Sequence, residues 1–117
     1  MIPADLLSAL REKDPELWME ITRTELAEIE YCDVDGDECE PDYIYWAGLR
    51  SEAQDAWLQH CLQEAIRARG WWYQIATGYR GVIQAQVYCS ENGLHKGNTE
   101  AEALGWAYLA AIEAIGT

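Results

Sequence analysis

The stretch SEAQDAWLQHCLQEAIRARGWWYQIAT, residues 51–77, changes its hydrophobic period midway, and that change decides the fold. In its first part Trp57, Leu58, Cys61, Leu62 and Ala65 recur at helical spacing, with Ile66 at the margin of the stripe. Ser51-Glu52-Ala53-Gln54 fits a capping box, so the spacing predicts a helix over residues 52–69. Arg67 and Arg69 fall at the negative end of the helix dipole, and Gly70 is placed for a left-handed stop. Trp71 to Ala76 then has the aromatic and β-branched composition of a strand, and Thr77-Gly78 begins a turn. Three consecutive rings, Trp71, Trp72 and Tyr73, must in a strand point to both faces.

Toward the C-terminus, Gly81 to Cys89 alternates, with Ile83, Ala85 and Val87 on one face and Gln84, Gln86 and Tyr88 on the other. Asn92-Gly93 is a hairpin signal, and Leu94 to Lys96 suits a short third strand. Thr99-Glu100-Ala101-Glu102 is a second capping box and opens a helix over residues 100–115. Its expected stripe is Leu104, Ala107, Tyr108, Ala111 and Ile115, and Gly116 ends it. The many alanines predict a close approach to a sheet.

Toward the N-terminus, Ile2 to Tyr31 reads mostly as helix. Pro3 suits a first helical position ahead of Ala4–Arg11, and Asp14-Pro15-Glu16 is a second start signal. Leu17, Met19 and Ile21 also alternate, so a strand competes there. Residues 31–43 read as loop, followed by the aromatic patch Tyr43, Ile44, Tyr45, Trp46 and a break at Gly48. The expected fold class is α+β. A small antiparallel sheet is packed by two helices in two layers, in the order α-β-β-(β)-α, over residues 51–116. Residues 1–50 form an acidic, mostly helical extension packed on it, within one domain.

The charge is lopsided. Residues 1–42 hold 14 acids and three bases, whereas residues 43–117 hold seven acids and five bases. The peak is the run Asp33, Asp35, Asp37, Glu38, Glu40, Asp42. A net charge of -13 argues against ordinary nucleic-acid binding, since phosphate contacts need Lys and Arg. No apolar run approaches the ~20 residues a membrane helix needs, and no basic-then-apolar leader opens the chain. A cytoplasmic protein is the expectation.

Recognisable chemistry is sparse. Asp33-Val34-Asp35-Gly36-Asp37 resembles the opening of a calcium loop, but Glu38 stands where Gly is needed and Ile44 where a bidentate Glu is needed. Cys32, Cys39, Cys61 and Cys89 form no C-x-x-C pair, so neither a metal site nor a cofactor is assigned. Cys61, on the helical stripe, reads as a small core residue. His60 and His95 lack the motifs of hydrolases, phosphate loops or zinc proteases around them, and no catalytic residue is assigned.

The element order resembles the double-stranded-RNA-binding domain, whose last helix begins with phosphate-gripping lysines. Here the comparable stretch, Lys96 to Ala103, has Glu100 and Glu102 in that place, so RNA binding is not carried over. Ala56-Trp57 on the first helix and Ala101 to Ala111 on the last resemble small phage and prophage proteins of the "phage ABA sandwich" type, over about residues 43–115. That resemblance implies a phage or prophage origin and no defined activity; small acidic phage proteins include inhibitors of host defence such as anti-CRISPR proteins. The resulting expectation is a non-enzymatic protein-binding module of that inhibitor kind that occupies a basic, nucleic-acid-binding site on a host protein or ribonucleoprotein complex. The expected contact residues are Asp33, Asp35, Asp37, Glu38, Glu40, Asp42, Tyr43, Tyr45 and Trp46. A homo-oligomer is compatible with it. The alternatives are a metal- or thiol-dependent enzyme and a structural or accessory phage protein.

Overall fold

The computed structural model describes residues 2–22, 46, 49–78, 81–88 and 93–115. Its elements are α1 (Ala4–Lys13), α2 (Pro15–Thr22), α3 (Ser51–Ala68), β1 (Trp72–Thr77), β2 (Ile83–Tyr88), β3 (His95–Gly97) and α4 (Glu100–Ile115). The three strands form one antiparallel sheet in the order β1-β2-β3. The fold is therefore α+β, with the predicted α-β-β-β-α order over its second half.

Helix α3 ends as its sequence dictates. Gly70 takes φ +74, a conformation that costs a residue with a Cβ. Its N–H bonds the Arg67 carbonyl at 2.9 Å and the Trp71 N–H bonds the Ile66 carbonyl at 3.1 Å, the paired bonds of a Schellman stop. That second bond uses the Trp71 N–H, which explains why β1 starts at Trp72 and not at the expected Trp71. The start of α3 corrects the sequence reading. Arg50, not Ser51, is the N-cap, and no side chain caps the turn. Gln54 instead donates through Nε2 to the Trp46 carbonyl at 2.9 Å, tying the preceding segment to the helix. Ile66, expected at the margin of the stripe, is fully buried.

Helix α4 opens on the predicted capping box. The Glu102 N–H donates to Thr99 Oγ1 at 3.1 Å, and Glu102 Oε2 accepts the Asn98 N–H at 2.7 Å. Glu102 is nine-tenths buried in doing so. Its side chain closes the helix start and is not presented to a ligand.

The expected stripe of α4 is too narrow. Ala101, Ala103, Gly105 and Leu109 are buried as well, whereas Ile115 is 49% exposed. The cause is that α4 is covered on several sides, by β2 and β3, by α3 and by α1. Small residues permit this. A Cβ on Gly97 of β3 would lie 2.5 Å from the Ala103 backbone nitrogen, and one on Gly105 would lie 2.9 Å from a Leu6 methyl. The alanine-rich approach to the sheet is thus present, and an approach to α1 accompanies it.

The first 22 residues are helical in both described segments, which settles the strand alternative at Leu17–Ile21 in favour of helix. Pro3 is the N-cap of α1 and not its first helical residue. Leu6, Leu10, Leu17 and Ile21 join Leu58, Leu62, Ile66, Val87, Leu104 and Tyr108 in one core cluster. Trp57 donates its indole N–H to the Ile21 carbonyl at 3.1 Å, satisfying an end carbonyl of α2 from α3. β3 is His95–Gly97, one residue later than expected. Among the described residues no helix is long and apolar enough to cross a membrane.

Candidate binding surface

Residue parity in β1 and β2 sorts the sheet into two unlike faces. Tyr73, Ile75, Ile83, Ala85 and Val87 point toward α3 and α4 and belong to the core or pack on it. Trp72, Gln74, Ala76, Gln84, Gln86 and Tyr88 occupy the alternate positions and form the outer face. In the register Trp72 pairs with Tyr88, Gln74 with Gln86, and Ala76 with Gln84, which pairs in turn with Lys96. The outer face therefore runs from an aromatic end to a cationic end and carries no carboxylate on its strands.

Trp72 is the outlier of its residue type. Trp18, Trp46, Trp57, Trp71 and Trp106 all pack against the core, while Trp72 is 77% exposed. Tyr88, directly across from it, is 45% exposed. Tyr88 donates its hydroxyl to Gln74 Oε1 at 2.6 Å, which holds the phenol ring over the sheet. Directly paired residues keep their Cβ atoms about 4.5–5.5 Å apart, so the two exposed aromatic side chains start from adjacent positions on the outer face.

On the opposite side of the helical layer lies a polar junction centred on Asp14. Its Oδ1 accepts the Leu17 N–H at 3.2 Å, the N-cap bond the sequence predicts. Its Oδ2 accepts the hydroxyl of the fully buried Tyr108 and lies 3.9 Å from Arg69 Nη2. The Arg69 guanidinium sits 5.0 Å from the Trp71 ring centre and 5.8 Å from that of Tyr108. Burial, then the Asp14 carboxylate, push the Tyr108 phenol well above its ordinary range, with Arg69 acting the other way. Asp14, Glu16, Glu20, Glu64 and Arg69 ring a cleft of about 430 Å³. Because Asp14 and Arg69 are engaged with each other and with Tyr108, this junction reads as a structural latch between α1, α2, α3 and α4.

Among the described residues the one thiol, Cys61, is not set up with an imidazole. Cys61 is buried in the core, and desolvation, then the charge of Glu20, push its thiol up to about 12, so it is no thiolate nucleophile. This agrees with the core role its stripe position predicts. His60 is exposed, 5.5 Å from the Trp57 ring. His95 lies on β3 beside a groove of about 390 Å³. In that groove Lys13 pairs with Glu113, whose carboxylate raises the ammonium pKa. Among the described residues no group of His, Cys, Asp and Glu is arranged to hold a metal ion.

Of the expected contact residues only Trp46 is described; it is half-buried and packs against the core. Asp33, Asp35, Asp37, Glu38, Glu40, Asp42, Tyr43 and Tyr45 lie outside the described residues, as do Cys32, Cys39, Cys89 and Gly116. Trp72 and Tyr88 are the surface residues that sequence reasoning did not select. The signal for them was present: Gln74, Gln84 and Gln86 share their parity, and a run of amides marks the wet side of a sheet. Comparison with protein families, with characterised proteins and with solved structures returns no match for this chain.

Proposed function

We propose that this protein is a non-catalytic protein-binding module that engages a basic surface of a partner, in the manner of a small phage- or prophage-encoded inhibitor acting inside a host cell. The observation that carries the reading is the solvent-facing Trp72, with the exposed Tyr88 across from it, on a molecule that packs every other tryptophan against its core. Fully exposing a large ring gains nothing for folding, and aromatic anchors of this type dominate binding energy at protein interfaces. The preference for a basic partner is supported by the net charge of -13, concentrated in residues 1–42. A field of one sign speeds encounter with an oppositely charged surface and disfavours nucleic acid. A partner whose basic site normally holds nucleic acid fits that field.

The test is partner capture by crosslinking in host lysate, followed by titration of the purified partner. A variant carrying Asp35→Asn, Asp37→Asn, Glu38→Gln and Glu40→Gln removes four charges with little change of shape. The reading expects its affinity to fall. It also expects the wild-type complex to weaken as the Debye length shrinks from about 10 Å at 0.1 M salt to about 3 Å at 1 M. Equal affinity for both proteins at both salt concentrations contradicts it.

A further inference from the structure

We propose that the outer face of the sheet holds an arginine-bearing segment of a basic partner protein, with a guanidinium stacked on the Trp72 indole. The proposal rests on the reading of the chain as a binder of basic protein surfaces and says where the contact is made and by which side chain.

The molecule already uses this interaction on the neighbouring rings. Trp71 and Tyr73 flank Trp72 in sequence and point the other way. Arg69 lies over Trp71 at 5.0 Å, and Arg67 lies over Tyr73 at 5.9 Å while donating to its hydroxyl at 3.2 Å. Both arginines come from the end of α3, so both cover the helical side of the sheet. Trp72, on the outer side, carries no guanidinium among the described residues. Its face is the vacant counterpart of two filled ones.

Charge selects the occupant. A chain at -13 attracts cations and repels phosphate, which leaves a basic protein segment as the partner that answers both the field and the ring. Arginine suits the exposed indole better than lysine, because a planar guanidinium stacks and still donates in its own plane. Gln74, two residues along β1 on the same face, carries a carboxamide oxygen that Tyr88 already fixes as an acceptor. Among the described residues the one cation of the outer face, Lys96, pairs with Gln84 opposite Ala76, at the far end. Four residues along the strand and two strands across place it roughly 16 Å from Trp72, by spacings of about 3.3 and 4.8 Å. That exceeds the Debye length of about 8 Å at physiological salt, so Lys96 does not repel a guanidinium at the aromatic end.

The test uses two synthetic peptides of equal length, alternating arginine with serine or lysine with serine, titrated calorimetrically at physiological salt. The proposal expects the arginine peptide to bind wild type more tightly than the lysine peptide. Trp72→Ala should weaken the arginine peptide between about threefold and thirtyfold and abolish the preference. Trp72→Phe should keep part of it. Unchanged affinity of Trp72→Ala for the arginine peptide overturns the proposal. If the quadruple acid-run variant then loses binding, the basic-surface reading survives and only the face is wrong; if neither peptide binds wild type, both fall. Two other outcomes overturn the proposal. One is a single-stranded oligonucleotide that binds wild type more tightly than the peptide and loses affinity in Trp72→Ala. The other is self-association of wild type in sedimentation that Trp72→Ala removes, which would make a second copy the occupant.

Discussion

The two faces of one three-stranded sheet are built from the same strands and meet different surroundings. The inner face places Tyr73, Ile75, Ala85 and Val87 against a helical layer in which α4 is buried on several sides. The outer face leaves Trp72, Gln74 and Tyr88 exposed and Gln86 half-buried. Stability resides on the inner side and in the helix junction that seals it, whereas recognition is free to use the outer side. In the sequence Trp71 and Trp72 are adjacent and chemically identical, yet one ring lies under an arginine near the core and the other stands clear.

Four perturbations sharpen that contrast, and the largest effects belong to the sealed side. Asp14→Ala removes the cap of α2 and the acceptor of the buried Tyr108 hydroxyl together. A lost cap costs about 1 kcal/mol and a stranded buried hydroxyl about 1–3, and Arg69, a donor only, cannot replace the acceptor, so urea unfolding should show a destabilisation of about 2–4 kcal/mol. Gly97→Ala drives a methyl into the backbone of Ala103. Overpacking of this kind costs about 1–3 kcal/mol, and here backbone must move to relieve it, so the thermal midpoint should drop clearly.

A pH prediction follows from Tyr108 and Cys61, both of which are raised in the folded state. A group with a raised folded pKa gives the native state more bound protons than the unfolded state. Stability is therefore fully present below the unfolded values, about 10 for tyrosine and about 8.5 for cysteine, and is lost as pH rises above them. Unfolding free energy should fall between neutral pH and about pH 11, and Tyr108→Phe should flatten that fall. Equal slopes for the two proteins would remove Tyr108 from the account. Smallest of all is Trp72→Ala. With nothing packed on its ring, its unfolding free energy should stay within about 0.5 kcal/mol of wild type.

Much of this contrast was legible in the sequence because it rests on local rules. The helix of residues 51–68 with its glycine stop, the alternation of β2 and the box at Thr99–Glu102 each depend on neighbours within a few residues. The broad burial of α4 was not legible, because part of it comes from Leu6 and α1, about a hundred residues earlier, and no period within α4 announces that partner. Asp14 could be read as a cap from Asp14-Pro15-Glu16, but its second oxygen serves Tyr108, 94 residues away. Parity placed Trp71 and Tyr73 opposite Trp72. Which side is wet is written in the glutamines, Gln74, Gln84 and Gln86, rather than in the aromatics.

The most direct measurement follows the six indole N–H signals in a proton–nitrogen NMR spectrum while the arginine peptide is added. The account predicts that the Trp72 signal moves progressively and saturates, while those of Trp18, Trp57, Trp71 and Trp106 stay in place. A stationary Trp72 signal in the presence of demonstrated binding would contradict it.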